Sequence, residues 1–294
     1  MSIVTVIVNK GGKGSGFHGH AGRPGKVGGS LSEGNIGNIQ TNLDENDPYI
    51  IDLANYCRDI IETKYKGEFN APDELYYFGY RALRGAGDFQ RDFAIAKHVE
   101  ERTDRETMLK VLVSSGNWTG SPRSSKEEWA AMRALYGDGA IIPKDVDDIS
   151  DVNLSDKELE GYKARQEYYQ ALFRDVYGED AKLYRGVRGA YAGKLRKSLT
   201  EKGSEALVKG DRTITVKSFG LVSFSPSRYS AATFASSKSG KLTGLLFSKV
   251  VKASNVWLMP RDAGVTSPIH FMEDHGEVVT YDEDSQDDWF VEDW

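Results

Sequence analysis

Three short segments in the last third of the chain contain the residues best suited to chemistry. Arg185 interrupts the otherwise apolar run 183–187, where a charge is costly unless it meets an anion, and its planar guanidinium matches a pyrophosphate. Serines end the run 221–227, and Glu277 opens an apolar run after a long loop. Each feature taken alone also has an ordinary explanation: an arginine paired with a local acid, a serine helix cap, and a carboxylate on an exposed strand edge.

Together and in this order, the three segments resemble the mono-ADP-ribosyltransferases of the Arg–Ser–Glu class, which include clostridial and insecticidal actin-modifying toxins and related phage enzymes. The pattern of that family is an aromatic-Arg-Gly strand, a Ser-Thr-Ser strand followed by a short helix with Phe-Ala, and Glu/Gln-x-Glu opening a late strand. The resemblance covers about residues 182–281. The matching residues are Tyr184-Arg185-Gly186, Ser223-Phe224-Ser225 with Phe234-Ala235, and His275-Gly276-Glu277.

The resemblance implies that NAD is a co-substrate and that no metal is needed, since nicotinamide is already a cationic leaving group. Glu277 is expected to hold the ribose 2′-hydroxyl and to stabilise an oxocarbenium-like transition state. Ser223 is expected to hydrogen-bond Glu277 and fix its rotamer. The resemblance implies that Arg185 binds the phosphates of NAD. It also implies that the backbone of Gly186 binds the nicotinamide amide. The other NAD-binding residues that it implies are Tyr184, Ser225 and Arg228, the last as a second phosphate contact.

Two departures from the family pattern affect the expected site. Phe224 replaces the middle Thr, which is tolerable if the flanking serines face the site. His275 stands where arginine-modifying members carry Glu and others often carry Gln, so the acceptor residue stays open; a histidine with a pKa near about 6.5 is suited to accept a proton from the incoming nucleophile. Glu273 and Asp274 could supply a carboxylate if the loop is shifted. Phe234 is expected to pack in the core beneath the site.

The implied activity is transfer of ADP-ribose to a host macromolecule, with a protein favoured over nucleic acid as acceptor. Two alternatives stay open: an NAD glycohydrolase, and a phage virion structural or interaction protein whose transferase fold is inactive. The glycine-rich stretch 22–30 is similar to linkers of phage head-morphogenesis proteins. It predicts a phage origin and a location in the virion or the host cytoplasm.

The N-terminal segment matches the dinucleotide-binding fingerprint, with Gly14-x-Gly16-x-x-Gly19 after an apolar run. That fingerprint must open a helix, and Pro24 and the repeated glycines that follow argue against one. Residues 1–42 are therefore predicted to be a flexible arm or linker. His18 and His20 have no Cys or carboxylate nearby, so solvated side chains are favoured over a metal site.

The bulk composition is that of a globular chain of 294 residues with a net charge of −6. This net charge does not indicate a surface that binds nucleic acid or membranes. No apolar run approaches the roughly 20 residues that span a bilayer. Cys57 is the single cysteine, so no intramolecular disulfide can form. These features favour a soluble protein in a reducing compartment.

The elements that must position the site fall into two parts and predict an α+β fold. Residues 43–180 show apolar spacing and caps typical of a helical lobe, including an N-cap with Pro at Asp47-Pro48 and capping boxes at 103–106, 125–128 and 155–158. Residues 181–294 show short strand-like runs and predict a mixed or antiparallel β-sandwich core of the ADP-ribosyltransferase type. Residues 43–294 are expected to form one catalytic unit. The tail after Tyr281 holds seven acidic residues and is expected to be solvated or loosely packed.

Overall fold

The fold is described from a computed structural model. The residues that it describes are 39–66, 71–81, 89–116, 126–136, 149–190, 192–193, 195, 213–217, 220–236, 244–259, 277–281 and 286–293. The packed part of the chain reaches back into the predicted arm, because the backbone carbonyl of Thr41 accepts a hydrogen bond of 2.9 Å from the hydroxyl of Tyr168.

The first part of the described chain is helical. Its helices are α1 (Pro48–Thr63), α2 (Asp73–Tyr76) continued by a π-helical turn (Tyr77–Arg81), α3 (Phe89–Arg102), α4 (Arg105–Gly116), α5 (Lys126–Tyr136) and α6 (Asp156–Tyr177). Their apolar faces form one buried core, which is what the 3.6-residue spacing of the apolar positions predicts.

The ends of these helices show which of the predicted caps form. Asp47 caps α1 through the amide of Tyr49, and Ser155 and Glu158 form the expected capping box at the start of α6. The box predicted at 103–106 is wrong. Asp104 caps α4 instead by accepting from the amide of Thr107, while the Thr103 hydroxyl donates back to the carbonyl of Val99 in α3. An aspartate is as good an N-cap as a threonine, so the one-residue offset has little energetic cost.

The second part of the described chain forms two antiparallel sheets. Four strands run in the order β1-β4-β7-β2, and three run in the order β3-β6-β5. The elements are β1 (Asp180–Val187), β2 (Thr213–Lys217), β3 (Leu221–Phe224), α7 (Arg228–Ala235), β4 (Leu245–Lys252), a 3₁₀ turn (Ala253–Asn255), β5 (Val256–Leu258), β6 (Val278–Tyr281) and β7 (Gln286–Asp293). The fold is therefore α+β, with helices ahead of antiparallel sheets.

The prediction of a solvated acidic tail is wrong for β7. This strand lies between β4 and β2 in the larger sheet. Trp289 is 1% exposed and packs edge-on against Phe224 and Phe247, and Val291 is fully buried. The two apolar side chains are two residues apart and share one face of the strand, so this face is core even though the other residues are mostly acidic.

Helix α6 covers the open edge of the smaller sheet at β5. The side-chain amide of Gln170 donates to the carbonyls of Ser254 and Val256, at 2.9 Å and 3.4 Å, and that of Gln166 also reaches the Val256 carbonyl at 3.4 Å. The bonds to Val256 satisfy an edge carbonyl of β5 that a sheet neighbour would otherwise take, and the bond to Ser254 satisfies a carbonyl of the preceding 3₁₀ turn. No helix in the described part of the chain is long and apolar enough to cross a membrane.

Candidate functional site

The predicted site residues gather where the two sheets meet. Tyr184 of β1 and Ser225, just after β3, exchange two backbone hydrogen bonds, of 2.8 Å and 2.7 Å. Within the described residues this bridge is the one ladder contact between the two sheets.

Ser223 and Glu277 are brought together by the register of β3 and β6. Ser223 lies opposite Val279, and Glu277 is two residues before Val279, so its side chain points to the same face. The Ser223 hydroxyl donates a hydrogen bond to Oε1 of Glu277. The expected contact between the two side chains is present, and both residues are partly exposed.

Arg185 reaches the same position from the other sheet. Its Nη1 donates to the backbone carbonyl of Ser223 at 2.5 Å. Leu183 and Val187, which share its face of β1, are buried, whereas Arg185 itself is partly exposed. The guanidinium, the hydroxyl and the carboxylate therefore meet around one residue, Ser223.

Gly186 is explained by packing against α7. A Cβ atom at Gly186 would lie 1.9 Å from the carbonyl oxygen of Ala231 and 2.8 Å from the amide nitrogen of Ala235. Both alanines are buried. The helix backbone rests directly on β1 here, so the close approach that the missing side chain permits is made by α7.

Ser225, Tyr184 and Arg228 surround the junction with less direct contacts. The Ser225 hydroxyl accepts from the amide of Ser227 at 3.1 Å, within the turn that leads into α7. The Lys182 ammonium lies 5.5 Å from the centroid of the Tyr184 ring. No described contact tests the NAD-binding role expected of these residues, which stays a prediction.

Arg228 is exposed at the start of α7, and its charge acts on Glu292. Burial raises the pKa of that carboxyl, but hydrogen bonds from Lys182 and Ser248, helped by the charges of Lys182 and Arg228, lower it below its ordinary value. Lys182 is three residues before Arg185 in β1, so the two side chains point to opposite faces of the strand. The second phosphate contact expected of Arg228 stays a prediction.

The two phenylalanines near the site have opposite environments. Phe224 is buried against Trp289, so the residue that departs from the Ser-Thr-Ser pattern lies in the core, and Ser223 lies on the opposite face of β3. The prediction that Phe234 packs in the core is wrong, because its side chain is 66% exposed. In α7 the small residues Ala231 and Ala235 take the inward face, since the contact with Gly186 leaves no room for a ring.

Several predicted features lie outside the described residues. These are His275, Gly276, Glu273 and Asp274 of the late loop, and the glycine-rich segment with its G-x-G-x-x-G spelling, His18 and His20. Where the chain is described, no group of three or more His, Cys, Asp or Glu residues is placed to hold a metal ion.

One cluster beside the site was not found from the sequence. The carboxylate of Glu128 in α5 binds the guanidinium of Arg165 in α6 and the indole of Trp257 in β5. The three residues are far apart in sequence and follow no local pattern. A glutamate near the start of a helix indicates a cap, which hides its role in the core.

The described arrangement can bind an anion and face a developing positive charge. A partly exposed guanidinium suits phosphate oxygens, and a carboxylate held by a serine suits a cationic transition state. Comparison of the chain with protein-family models, with curated proteins and with solved structures finds no match. The functional argument therefore depends on the side chains of this chain.

Proposed function

We propose that the chain is an NAD-dependent mono-ADP-ribosyltransferase, with an ADP-ribosyltransferase type of β-sandwich core. The observation that carries the proposal is the hydrogen bond from Ser223 to Glu277, with Arg185 bonded to the backbone of the same serine. Arg185 lies in β1, Ser223 in β3 and Glu277 directly before β6, and they are separated by 38 and 54 positions. Their meeting around Ser223 supports a common task for residues that have ordinary explanations when taken singly.

NAD fits the chemistry of the residues that meet around Ser223. The guanidinium of Arg185 suits the diphosphate, because its planar donors match two phosphate oxygens. Glu277 suits the nicotinamide-bearing ribose, where a carboxylate can accept a hydrogen bond from the 2′-hydroxyl. The glycine at 186 is already required by α7, so a bond from its backbone to the nicotinamide amide is a separate part of the proposal.

In the proposed reaction the bond between nicotinamide nitrogen and ribose C1′ breaks, and its electron pair leaves with neutral nicotinamide. Positive charge then develops on the ribose ring, and the Glu277 carboxylate stabilises it. Ser223 holds the carboxylate in position by donating to Oε1. An acceptor nucleophile forms the new bond to C1′ and gives up a proton, for which His275 is the proposed base.

The experiment measures nicotinamide release and transfer of label by the purified full chain. NAD labelled in its adenylate phosphate is supplied alone or with host lysate. Labelled macromolecules in the lysate arm identify a transferase, and release without labelling identifies the glycohydrolase. The absence of nicotinamide release in both arms would reject the proposed function and favour the structural protein.

The variant Glu277→Gln tests the site, because it removes the negative charge and keeps the size of the side chain. We expect release to fall by about 100-fold or more, as when a charge-stabilising group is removed from other active sites. The control is Glu106→Gln on the surface of α4, where the carboxylate is 78% exposed and pairs with Lys110. Equal activity of the two variants would remove Glu277 from the mechanism, and their melting temperatures should agree within a few degrees.

A further inference from the structure

Strand β5 contains a bulge beside the strand that follows Glu277. Val256 lies opposite Thr280 of β6, but Leu258 lies opposite Val279, one position off a regular ladder. Trp257 is therefore the extra residue of a β-bulge. Bulges often lie near functional sites, where they redirect a side chain or fix the register of a strand.

The bulge directs Trp257 to the helical lobe. Its indole Nε1 donates to Oε2 of Glu128 at 2.7 Å, and its ring centroid lies 6.1 Å from that of Tyr136 in α5. Tyr136 in turn stacks on Tyr281, at the end of β6, with ring centroids 4.0 Å apart. Glu277, Val279 and Tyr281 are two residues apart, so their side chains lie on the same face of the sheet. The face of the sheet that carries Glu277 is therefore the face that the lobe packs against.

Glu128 is a fully buried charge held by donors from three directions. Arg165 binds both of its oxygens, at 2.5 Å and 2.7 Å, and the Ser114 hydroxyl donates to Oε1 at 2.9 Å. Glu128 and Arg165 are both 0% exposed. The Arg165 guanidinium also lies 5.0 Å and 5.6 Å from the ring centroids of Tyr162 and Trp257.

A buried ion pair contributes little net stability, because removing two charges from water offsets most of their attraction. Apolar residues of the same size would fill this space as well. The pair instead fixes the orientation of the groups bonded to it, since hydrogen bonds to a carboxylate have defined geometry and apolar contacts do not. The indole of Trp257 thus has a fixed position relative to α5 and α6.

Building on the proposed function, we infer that Glu128 and Trp257 are positioning residues that set the register of β6 and so hold Glu277 against Ser223. Glu128 fixes the bulged Trp257, and the bulge fixes which residue of β5 lies opposite Val279. Val279 pairs with Ser223 on its other side. A shift of β6 by one residue would turn the Glu277 side chain to the opposite face of the sheet.

The test uses Trp257→Phe in the full chain, which removes the indole N–H and keeps an aromatic ring. We expect kcat for nicotinamide release to fall about 10-fold, because small errors in the position of a catalytic group are costly. KM for NAD should stay within about twofold, since Arg185 lies on β1 and not on β6. The control is Trp129→Phe, the same change at a buried tryptophan of α5, for which kcat should stay within about twofold.

A second measurement does not depend on NAD. Amide hydrogen exchange of peptides covering β5 and β6 should become at least about tenfold faster in Trp257→Phe, while peptides covering β1 and β4 exchange as in the parent chain. Unchanged exchange in β6, or equal loss of kcat in both tryptophan variants, would overturn the inference, and so would a Trp257→Phe chain that does not fold. A parent chain that releases no nicotinamide would reject the proposed function alone, since the exchange result still decides the role of Trp257.

Discussion

Replacing Gly186 by alanine should displace α7 from the four-stranded sheet. The added Cβ would lie 1.9 Å from the carbonyl oxygen of Ala231 and 2.8 Å from the amide nitrogen of Ala235. Both atoms belong to the helix backbone, so no side-chain rotation can relieve the contact. A carbon atom needs about 3 Å from a carbonyl oxygen, so the helix would have to move away by roughly 1 Å.

The expected cost is about 2–3 kcal/mol, at the upper end of the range for overpacked positions, because the obstacle is rigid. Movement of α7 also opens the buried contacts of Ala231 and Ala235. For a chain of this size that loss lowers the melting temperature by about 5–10 °C. Under the proposed function, nicotinamide release should fall as well, because α7 leads directly from the turn at Ser225 that joins the two sheets.

Urea unfolding followed by the fluorescence of the five tryptophans measures the free-energy change. Gly193→Ala is the matched control. A Cβ there would meet nothing within 4 Å, and the backbone has no positive φ, so this variant should be neutral or stabilised by up to about 1 kcal/mol. If Gly186→Ala and Gly193→Ala unfold at the same urea concentration, the contact between β1 and α7 does not require glycine.

The other predictions concern an exposed ring and a partly buried imidazole. Phe234→Ser should change the free energy of unfolding by less than about 0.5 kcal/mol, because the ring is 66% exposed, whereas a core ring would cost about 3–5 kcal/mol; urea unfolding separates these values. Burial, and then the charge of Arg102, lower the pKa of His98 below its ordinary 6.5. As the pH falls, His98 is therefore protonated in the unfolded chain before it is protonated in the folded chain. The contribution of His98 to the free energy of unfolding is fully present above about pH 6.5 and is lost as the pH falls below that value. His98→Gln should flatten that part of the stability profile between about pH 7 and about pH 5.5, and parallel profiles for the two chains would count against the assignment.

The sequence predicts best where local pattern and burial agree. The strands β1 and β3 were predicted because their apolar runs are short and bounded by turn residues. The contact between Ser223 and Glu277 was expected from the family resemblance, and the register of β3 and β6 supplies its physical cause.

The sequence predicts less where distant residues decide the outcome. The tail strand β7 was missed because its acidic residues hide the alternation of Trp289 and Val291. The inward face of α7 was misassigned because Gly186, 45 or more positions earlier, admits only small residues there. Glu128 and Arg165 are 37 positions apart, and nothing local marks them as a buried pair.

The order of the strands also constrains how the larger sheet is assembled during synthesis. Strand β2 is made early, but the sheet neighbour described for it is β7, which emerges roughly 70 residues later. Until β7 is made, β2 lacks the strand described as its neighbour, and the edge of β4 that pairs with β7 has no hydrogen-bond partner in the sheet. Such distant pairing delays closure of the sheet. A ribosome paused between β4 and β7 would therefore carry a chain whose helical lobe is complete in sequence but whose larger sheet is still open, and the unpaired strand edges of such a chain are the kind of surface that chaperones protect.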